Sequence, residues 1–151
     1  MRKKAVELII AGIVGLAMSL KPEEPQREII ELPWEFEAPA PEYNTEVLAR
    51  VCMSEASTEP FIGKVAVVAT VLNRCDLNGQ TVEQVVYAPN QYWTGDNGTP
   101  TEEVYRAVEF AIKERDAFPR DMLYFRKGNY HSFGKPYIQI GAHYFSTTGD
   151  K

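Results

Sequence analysis

The sequence predicts a mainly α fold of the α+β class, in which a helical domain carries a small β element at its C-terminal end. Apolar residues recur at helical spacing between residues 45 and 112, and short aromatic-rich runs follow Pro119. The length of 151 residues, 44% of them apolar, suits one globular domain of ordinary size. A wholly disordered chain is therefore excluded.

The formal net charge of -5 is unevenly distributed. Residues 1–20 carry three cations and one acid, residues 21–44 two cations and seven acids, and residues 45–151 eleven cations and thirteen acids. The middle segment also holds five of the ten prolines, which predicts an extended acidic linker over 21–44. We expect the folded domain over 45–151, and the overall acidity argues against a nucleic-acid partner.

Residues 1–20 have the pattern of an export signal. A cluster of three cations precedes an apolar run of twelve residues, 9–20, which is short for a bilayer span and suits a signal-peptide core. Ala17 and Ser19 are small residues of the kind that a signal peptidase requires, whereas Glu7 is unusual in such a segment. We expect an exported protein of the cell envelope or the extracellular space. A retained anchor, which would associate the protein with the membrane, and a buried helix stay open as alternatives.

The first two predicted helices follow directly after the linker. Asn44 is a good N-cap for the first helix, and Pro60 is expected to close it. The stretch 61–74 is apolar on nearly every side, and its length favours a buried helix over a strand.

Two capping boxes predict further helix starts. One combines Thr81 with Gln84, and the other combines Thr99 with Glu102 and places Pro100 at the first helical position. The helix after the second box has the clearest apolar stripe of the chain, formed by Val104, Ala107, Val108, Ala111 and Ile112.

The C-terminal region predicts a two-strand element. The runs 122–125 and 137–145 are rich in aromatic residues, and glycines separate them.

Both cysteines lie on apolar helical stretches, so we predict that they are buried small hydrophobes. A disulfide between them stays open, because the protein is expected to be exported. The two histidines do not combine with them in a zinc-binding pattern.

Glu55 is the residue most indicative of chemistry. It follows Cys52, Val51 and Leu48 by three, four and seven positions, so it projects from the apolar face that the helix must bury. Burial disfavours the charged form of a carboxyl group, which can then keep a proton near neutral pH and donate it to a leaving group. The alternative is a structural carboxylate that caps a neighbouring helix.

Aromatic and amide side chains are frequent in the second half of the chain. Sugars present flat C–H faces and many hydroxyls, so a groove of aromatic platforms with amide and imidazole groups suits a polysaccharide. Aromatic residues are also ordinary core material, and we expect roughly two thirds of them to pack inside. The residues considered are Gln91, Tyr92, Trp93, Tyr124, Phe125, Tyr130, His131, Tyr137, His143 and Tyr144.

Several short motifs occur together in the order of a known family. The motifs are LAR at 48–50, EA at 55–56, EP at 59–60, VAVVA at 65–69, VLNR at 71–74, YAPNQY at 87–92 and IGAHYF at 140–145. Over about residues 45–147 the chain resembles the cell wall hydrolase family of the spore cortex-lytic enzymes SleB and CwlJ. It departs from the family pattern at Thr58, where the family has Gly, and at Tyr92, where the family has Phe.

The resemblance implies a compact lysozyme-like domain that cleaves the bond between N-acetylmuramic acid and N-acetylglucosamine in peptidoglycan glycan strands. The SleB branch consists of lytic transglycosylases, and its catalytic glutamate corresponds to Glu55. Such acid–base cleavage requires no metal or organic cofactor, and none is expected. Substrate contacts are predicted for Asn73, Gln91, Tyr92, Tyr124, His131 and His143. For Asn73 a structural role at the helix end stays open, and for His143 the alternative is a partly buried histidine with its hydrogen bonds satisfied.

Other activities stay open at the level of the sequence. A transglycosylase needs one carboxylate, whereas a hydrolytic muramidase would need a second one at about 5–5.5 Å or about 6.5–9.5 Å, for which Glu59 is the secondary candidate. A non-catalytic glycan-binding module of a cell envelope or a virion is an alternative of another class. A further one is a Cys–His peptidase built on Cys52 with His131 or His143.

Overall fold

The computed structural model describes residues 42–93, 95 and 97–149, so the predicted export signal (1–20) and nearly all of the predicted linker (21–44) lie outside the described residues. The elements are, in order, α1 (Thr45–Ala56), α2 (Phe61–Asn78), α3 (Val82–Val86), α4 (Glu102–Lys113), β1 (Met122–Lys127), β2 (Lys135–Ile140) and β3 (His143–Thr147). This order confirms the predicted class. Within the described part, no helix is both long and apolar enough to span a bilayer.

The N-terminal cap of α1 lies where the sequence predicts it. The Asn44 side chain accepts a hydrogen bond from the Val47 N–H at 3.1 Å. The helix ends at Ala56, and Pro60 has the extended conformation that precedes α2. Helix α2 continues past the predicted end at residue 74 and stops at Gly79, whose φ of 61° is left-handed and therefore suits glycine.

Helix α2 forms the centre of the core. Every residue from 63 to 73 is buried, because α1, α3, α4 and β1 all pack against it. The predicted stripe of α4 faces this core, with Ile112 partly buried and the other four residues buried. Cys52 and Cys75 are buried and free, as predicted for small hydrophobes.

The N-terminus of α4 differs from the prediction, whereas that of α3 agrees with it. Thr101, rather than Thr99, is the N-cap of α4, and its hydroxyl oxygen accepts from the Val104 N–H at 3.4 Å. Thr99 fits the capping box with Glu102, whereas Thr101 caps the helix through its hydroxyl alone, and Pro100 between them is buried. The capping box of Thr81 and Gln84 is confirmed.

The sheet has three antiparallel strands in the order β1-β3-β2, so the prediction of two strands is wrong. The predicted strand 137–145 divides at Gly141, where a φ of 56° turns the chain from β2 into β3. A Cβ atom on Gly141 would lie 1.9 Å from Oε2 of Glu59, so the turn packs directly against that carboxylate and leaves no room for a side chain. This contact joins residues far apart in sequence, which is why the strand pattern alone did not reveal the turn.

Candidate active site

Glu55 lies in the last turn of α1 and is half-buried. Its Oε1 accepts a hydrogen bond from the main-chain N–H of Trp93 at 2.7 Å. Trp93 belongs to the loop after α3 and not to a helix N-terminus, so the arrangement differs from the helix-capping alternative. The loop orients the carboxylate, and its partial exposure leaves it within reach of a ligand.

A cavity of about 260 Å³, here called the α1 cavity, lies between α1 and this loop, and Glu55 is not among the residues that line it. Trp93 joins the two, because its N–H holds Glu55 while its side chain lines the cavity. The rings of Trp93 and Tyr87 are 64% and 57% exposed, as platforms for a ligand would be. Arg50 and Ser54 add polar groups to the wall.

Gln91 and Tyr124 line a second depression, of about 350 Å³, together with Arg74. Arg74 donates from Nε to the Leu123 carbonyl at 2.8 Å and from Nη1 to the Gln91 side-chain oxygen. Its guanidinium carbon lies 5.3 Å from the centre of the Tyr92 ring and 5.9 Å from that of Tyr124. Arg74 thus holds three of the predicted substrate residues together.

Tyr92 packs against the core. Its ring tilts against Phe125 with 6.2 Å between the ring centres, and its hydroxyl is buried with no hydrogen-bond partner among the described residues. Burial raises the pKa of the Tyr92 phenol far above its usual value, and the charge of Glu55 acts in the same direction. The position therefore presents a neutral buried hydroxyl where the family pattern has Phe.

Asn73 is only 2% exposed and lies at the junction of α2 and β1. Its Nδ2 donates to the carbonyls of Pro119, at 2.9 Å, and Met122, at 3.0 Å. In this position Asn73 can influence the site through the placement of β1, whereas direct contact with a glycan would require the junction to open.

His143 and Glu59 form a buried contact, with exposed fractions of 1% and 6%. His143 Nδ1 lies 3.7 Å from Glu59 Oε1. Burial lowers the pKa of His143, and the Glu59 and Glu55 carboxylates partly oppose this effect. The imidazole is therefore neutral near pH 7, and the contact is not an ion pair under those conditions.

Glu59 has several further partners. Its Oε2 accepts from the Ala142 N–H at 3.0 Å, and its main-chain carbonyl accepts from the Lys64 ammonium. Lys64 in turn lies 3.0 Å from Glu103 on α4. Glu59 thus joins the turn between β2 and β3 to the start of α2, a role that its local sequence did not indicate.

Tyr124 and His131 belong to an aromatic cluster beside β1. The His131 ring stacks on Phe133 with 4.5 Å between centres, and Tyr124 meets Phe133 edge-on at 5.1 Å. His131 Nε2 also lies 3.3 Å from the Phe125 carbonyl oxygen. Phe133 is exposed, so this cluster forms part of the surface on the side of the sheet.

The environment of the cysteines does not favour a nucleophilic thiol. Cys52 is fully buried, with Sγ 3.8 Å from the Lys64 carbonyl oxygen. Burial raises the pKa of Cys52 to about 12 and that of Cys75 to about 11, so both thiols are protonated at physiological pH. Within the described ranges, no group of three or more His, Cys, Asp or Glu residues is arranged to hold a metal ion.

The site residues that sequence reasoning missed are Arg50 and Tyr87, together with the main-chain role of Trp93. Arg50 and Tyr87 stand within the LAR and YAPNQY motifs, which provided a signal. The N–H of Trp93 provided none, because every residue except proline carries this group.

The family model of the cell wall hydrolases matches residues 58–146. The chain therefore belongs to the cell wall hydrolase family, which confirms the predicted membership. The matched residues include Glu59 and His143 and begin just after Glu55.

Individual relatives are similar to the same part of the chain. The spore cortex-lytic enzyme of Halalkalibacterium halodurans is 33% identical over 112 residues, which are 66% of this chain and 33% of that protein. The chain thus matches about a third of the length of this curated relative.

Two catalytic domains of known structure share the fold. The catalytic domain of Bacillus cereus SleB has a TM-score of 0.58 and 25% identity, over 71% of this chain and 94% of that one. The catalytic domain of the germination-specific lytic transglycosylase SleB from Bacillus anthracis has a TM-score of 0.59 and 25% identity, over 72% and 99%.

Proposed function

We propose that this protein degrades peptidoglycan at the cell envelope by cleaving the bond between N-acetylmuramic acid and N-acetylglucosamine, with Glu55 as the catalytic acid. The observation that carries the proposal is the half-buried Glu55 carboxylate, held by the Trp93 N–H beside a cavity with exposed aromatic rings. Membership of the cell wall hydrolase family supports it.

The proposed reaction is that of a lytic transglycosylase. Glu55 donates its proton to the glycosidic oxygen as the bond from that oxygen to C1 of the muramic residue breaks. The resulting carboxylate then takes the proton from the 6-hydroxyl of the same residue, whose oxygen bonds to C1 and closes a 1,6-anhydro ring. No water is consumed, and Glu55 regains its proton for the next cycle.

The surroundings of Glu59 support a mechanism with one carboxylate. Glu59 is the acid nearest to Glu55 in the motif region, but it is buried and its Oε2 holds the Ala142 N–H. A hydrolytic muramidase on the same bond would require a base for the attacking water. Glu59 does not suit the role of that base, because at 6% exposure it is shielded from solvent water.

The test is a digest of purified peptidoglycan by the parent chain, Glu55→Gln and Glu59→Gln, with mass spectrometry of the released saccharides. Glu109→Gln, at an exposed position of α4, is the matched control for the loss of one acid. We expect products lighter by one water than hydrated reducing ends, and a loss of at least about 100-fold in rate for Glu55→Gln alone.

Other outcomes would identify the alternatives. Hydrated reducing ends, with activity lost in both Glu55→Gln and Glu59→Gln, would establish a two-carboxylate muramidase. Binding of glycan strands without product, unchanged in folded Glu55→Gln, would establish a non-catalytic module.

A further inference from the structure

We infer that Arg50 recognises a carboxylate on the muramic residue, which makes the α1 cavity a subsite for an acidic sugar. The inference rests on the proposed function and extends it from the reaction to the choice of substrate. It concerns a residue whose role neither the fold nor Glu55 explains.

Arg50 lies one helical turn before Ser54, and both side chains line the α1 cavity. Its Nε donates to Glu46 Oε1 at 2.8 Å. In the part of the chain that the structure describes, Arg50 makes this one side-chain hydrogen bond, so Nη1 and Nη2 are available to a ligand. Two such nitrogens match the two oxygens of a carboxylate.

Glu46 orients the Arg50 guanidinium through Nε alone. The second carboxylate oxygen of Glu46, Oε2, accepts from the hydroxyl of Tyr105 on α4 at 2.6 Å. The hydrogen bond from Tyr105, and then that from Arg50, lowers the pKa of Glu46, which keeps this carboxylate charged. Because the Arg50–Glu46 pair is exposed, it contributes little by itself, and Arg50 can share its charge with a second carboxylate.

The rest of the cavity suits a sugar ring next to this cation. Tyr87 and Trp93 expose their rings, and Val47 and Val51 give α1 an apolar surface between Arg50 and Ser54. Trp93 connects this cavity with Glu55, because Trp93 lines the cavity and its main-chain N–H holds the carboxylate.

The chemistry of the strand shows which sugar would benefit. The muramic residue bears a lactyl group, whose carboxylate is free when the stem peptide is absent; when it is present, the stem peptide supplies carboxylates of its own. N-acetylglucosamine carries neither group. A guanidinium in the cavity therefore favours the acidic muramic residue over this neutral sugar.

The experiment compares the parent chain with Arg50→Gln on three glycan substrates. The first is stem-free strands with free lactyl carboxylates, the second is the same strands with these carboxylates converted to methylamides, and the third is strands with intact stem peptides. Arg106→Gln, at an exposed position of α4, is the charge-matched control. Initial rates of saccharide release provide kcat/KM, and thermal unfolding checks the fold.

We expect Arg50→Gln to lower kcat/KM about 10- to 100-fold on carboxylate-bearing strands, since a hydrogen bond to a charged group contributes on that order. Amidation should lower the parent's rate similarly and should not slow Arg50→Gln further. A loss on stem-free strands assigns the contact to the lactyl carboxylate, and a loss confined to stem-bearing strands assigns it to the stem. Arg50→Lys should recover part of the rate, because it restores the charge without the planar fork.

Equal rates of the parent chain on free and amidated strands, with no loss on stem-bearing strands in Arg50→Gln, would overturn the inference. If the Arg50 variants fail to fold, the rates of the parent chain on stem-bearing strands before and after methylamidation of the stem carboxylates provide the same decision. Failure of the parent chain to release saccharides from any strand would instead contradict the proposed function, so the two failures are distinguishable.

Discussion

Trp93 holds Glu55 through its main chain and not through its side chain. Its main-chain N–H donates to the Glu55 carboxylate, whereas its ring lines the α1 cavity. One residue thus has two separable roles in the proposed site, orientation of the acid and contact with the sugar. Substitution can separate them, because proline alone lacks the N–H.

We expect Trp93→Ala, which removes the ring and keeps the N–H, mainly to raise KM, and Trp93→Pro, which removes both, to raise KM similarly and to lower kcat as well. Loss of a hydrogen bond to a charged group corresponds to a roughly 10- to 100-fold slower reaction, whereas loss of the ring weakens binding of the strand. Initial rates on purified glycan strands, with circular dichroism as the control for folding, measure both. The same change of kcat and KM in the two variants would show that the roles are not separate.

His143 determines how the stability of the fold depends on pH. Burial lowers the pKa of His143, so the unfolded chain takes up this proton at a higher pH than the folded protein. The contribution of His143 to stability is therefore complete above the unfolded pKa of about 6.5 and is lost as the pH falls through the folded pKa.

Urea unfolding at about pH 7.5 and about pH 5 should reveal this effect, with a slope of up to about 1.4 kcal/mol per pH unit. His143→Gln should lose less stability between these two conditions than the parent chain. Because Glu59, Lys127 and Glu55 also act on His143, the difference between the parent chain and His143→Gln measures the contribution of the imidazole. An identical pH dependence in both chains would rule out His143 as its source.

At the scale of elements, the turn between β2 and β3 lies against a residue that is distant in sequence. Gly141 has a φ of 56°, and the Glu59 carboxylate occupies the space where a Cβ would be. Gly79 has a similar φ of 61°, but nothing lies within 4 Å of its Cβ position. Replacement of each glycine by alanine therefore separates the cost of a left-handed backbone from the cost of a steric clash with Glu59.

We expect Gly79→Ala to destabilise the fold by about 1–2 kcal/mol, the penalty for a left-handed residue with a side chain. Gly141→Ala should cost about 1–3 kcal/mol more, because the methyl group also displaces Glu59. Urea unfolding of both variants, and of Gly141→Ala combined with Glu59→Ala, measures this difference. If both alanines cost the same, the turn does not depend on Glu59.

At the scale of the whole molecule, side chains ahead of α1 link three helices. Asn44 caps α1, and its Nδ2 donates to Glu83 on α3. The Tyr43 hydroxyl donates to Asp76 on α2 at 3.0 Å. Residues 43–44 thus belong to the folded unit by their contacts, although the acidic, proline-rich composition assigns them to the linker.

A chain that starts at residue 42 should be more stable, by about 1–2 kcal/mol, than one that starts at residue 46. The second chain lacks the N-cap of α1, and a cap typically contributes that amount. Scanning calorimetry of the two shortened chains, with Asn44→Ala in the full chain as a control, makes the comparison. Equal stability of 42–151 and 46–151 would contradict the structural role of these residues.

Patterns within a few residues could be interpreted from the sequence, and contacts across the fold could not. The Asn44 cap, the capping box at Thr81 and the stripe of α4 are interactions between residues less than about two turns apart, so their spacing determined them. The local pattern predicted the cap of α4 at Thr99, whereas the structure has it at Thr101.

By itself, the sequence determined the mainly α class, the family and Glu55 as the candidate acid, because helical periodicity and the order of the motifs are properties of the chain. Only the tertiary structure decided how Glu55 is held, where the third strand begins and which groups surround the α1 cavity. Each of these depends on a contact between distant residues, Trp93 with Glu55 or Glu59 with the turn at Gly141. These contacts use a backbone N–H group or the free space beside a glycine. Nearly every residue carries the N–H, and the space depends on the fold, so the residue pattern predicts neither contact.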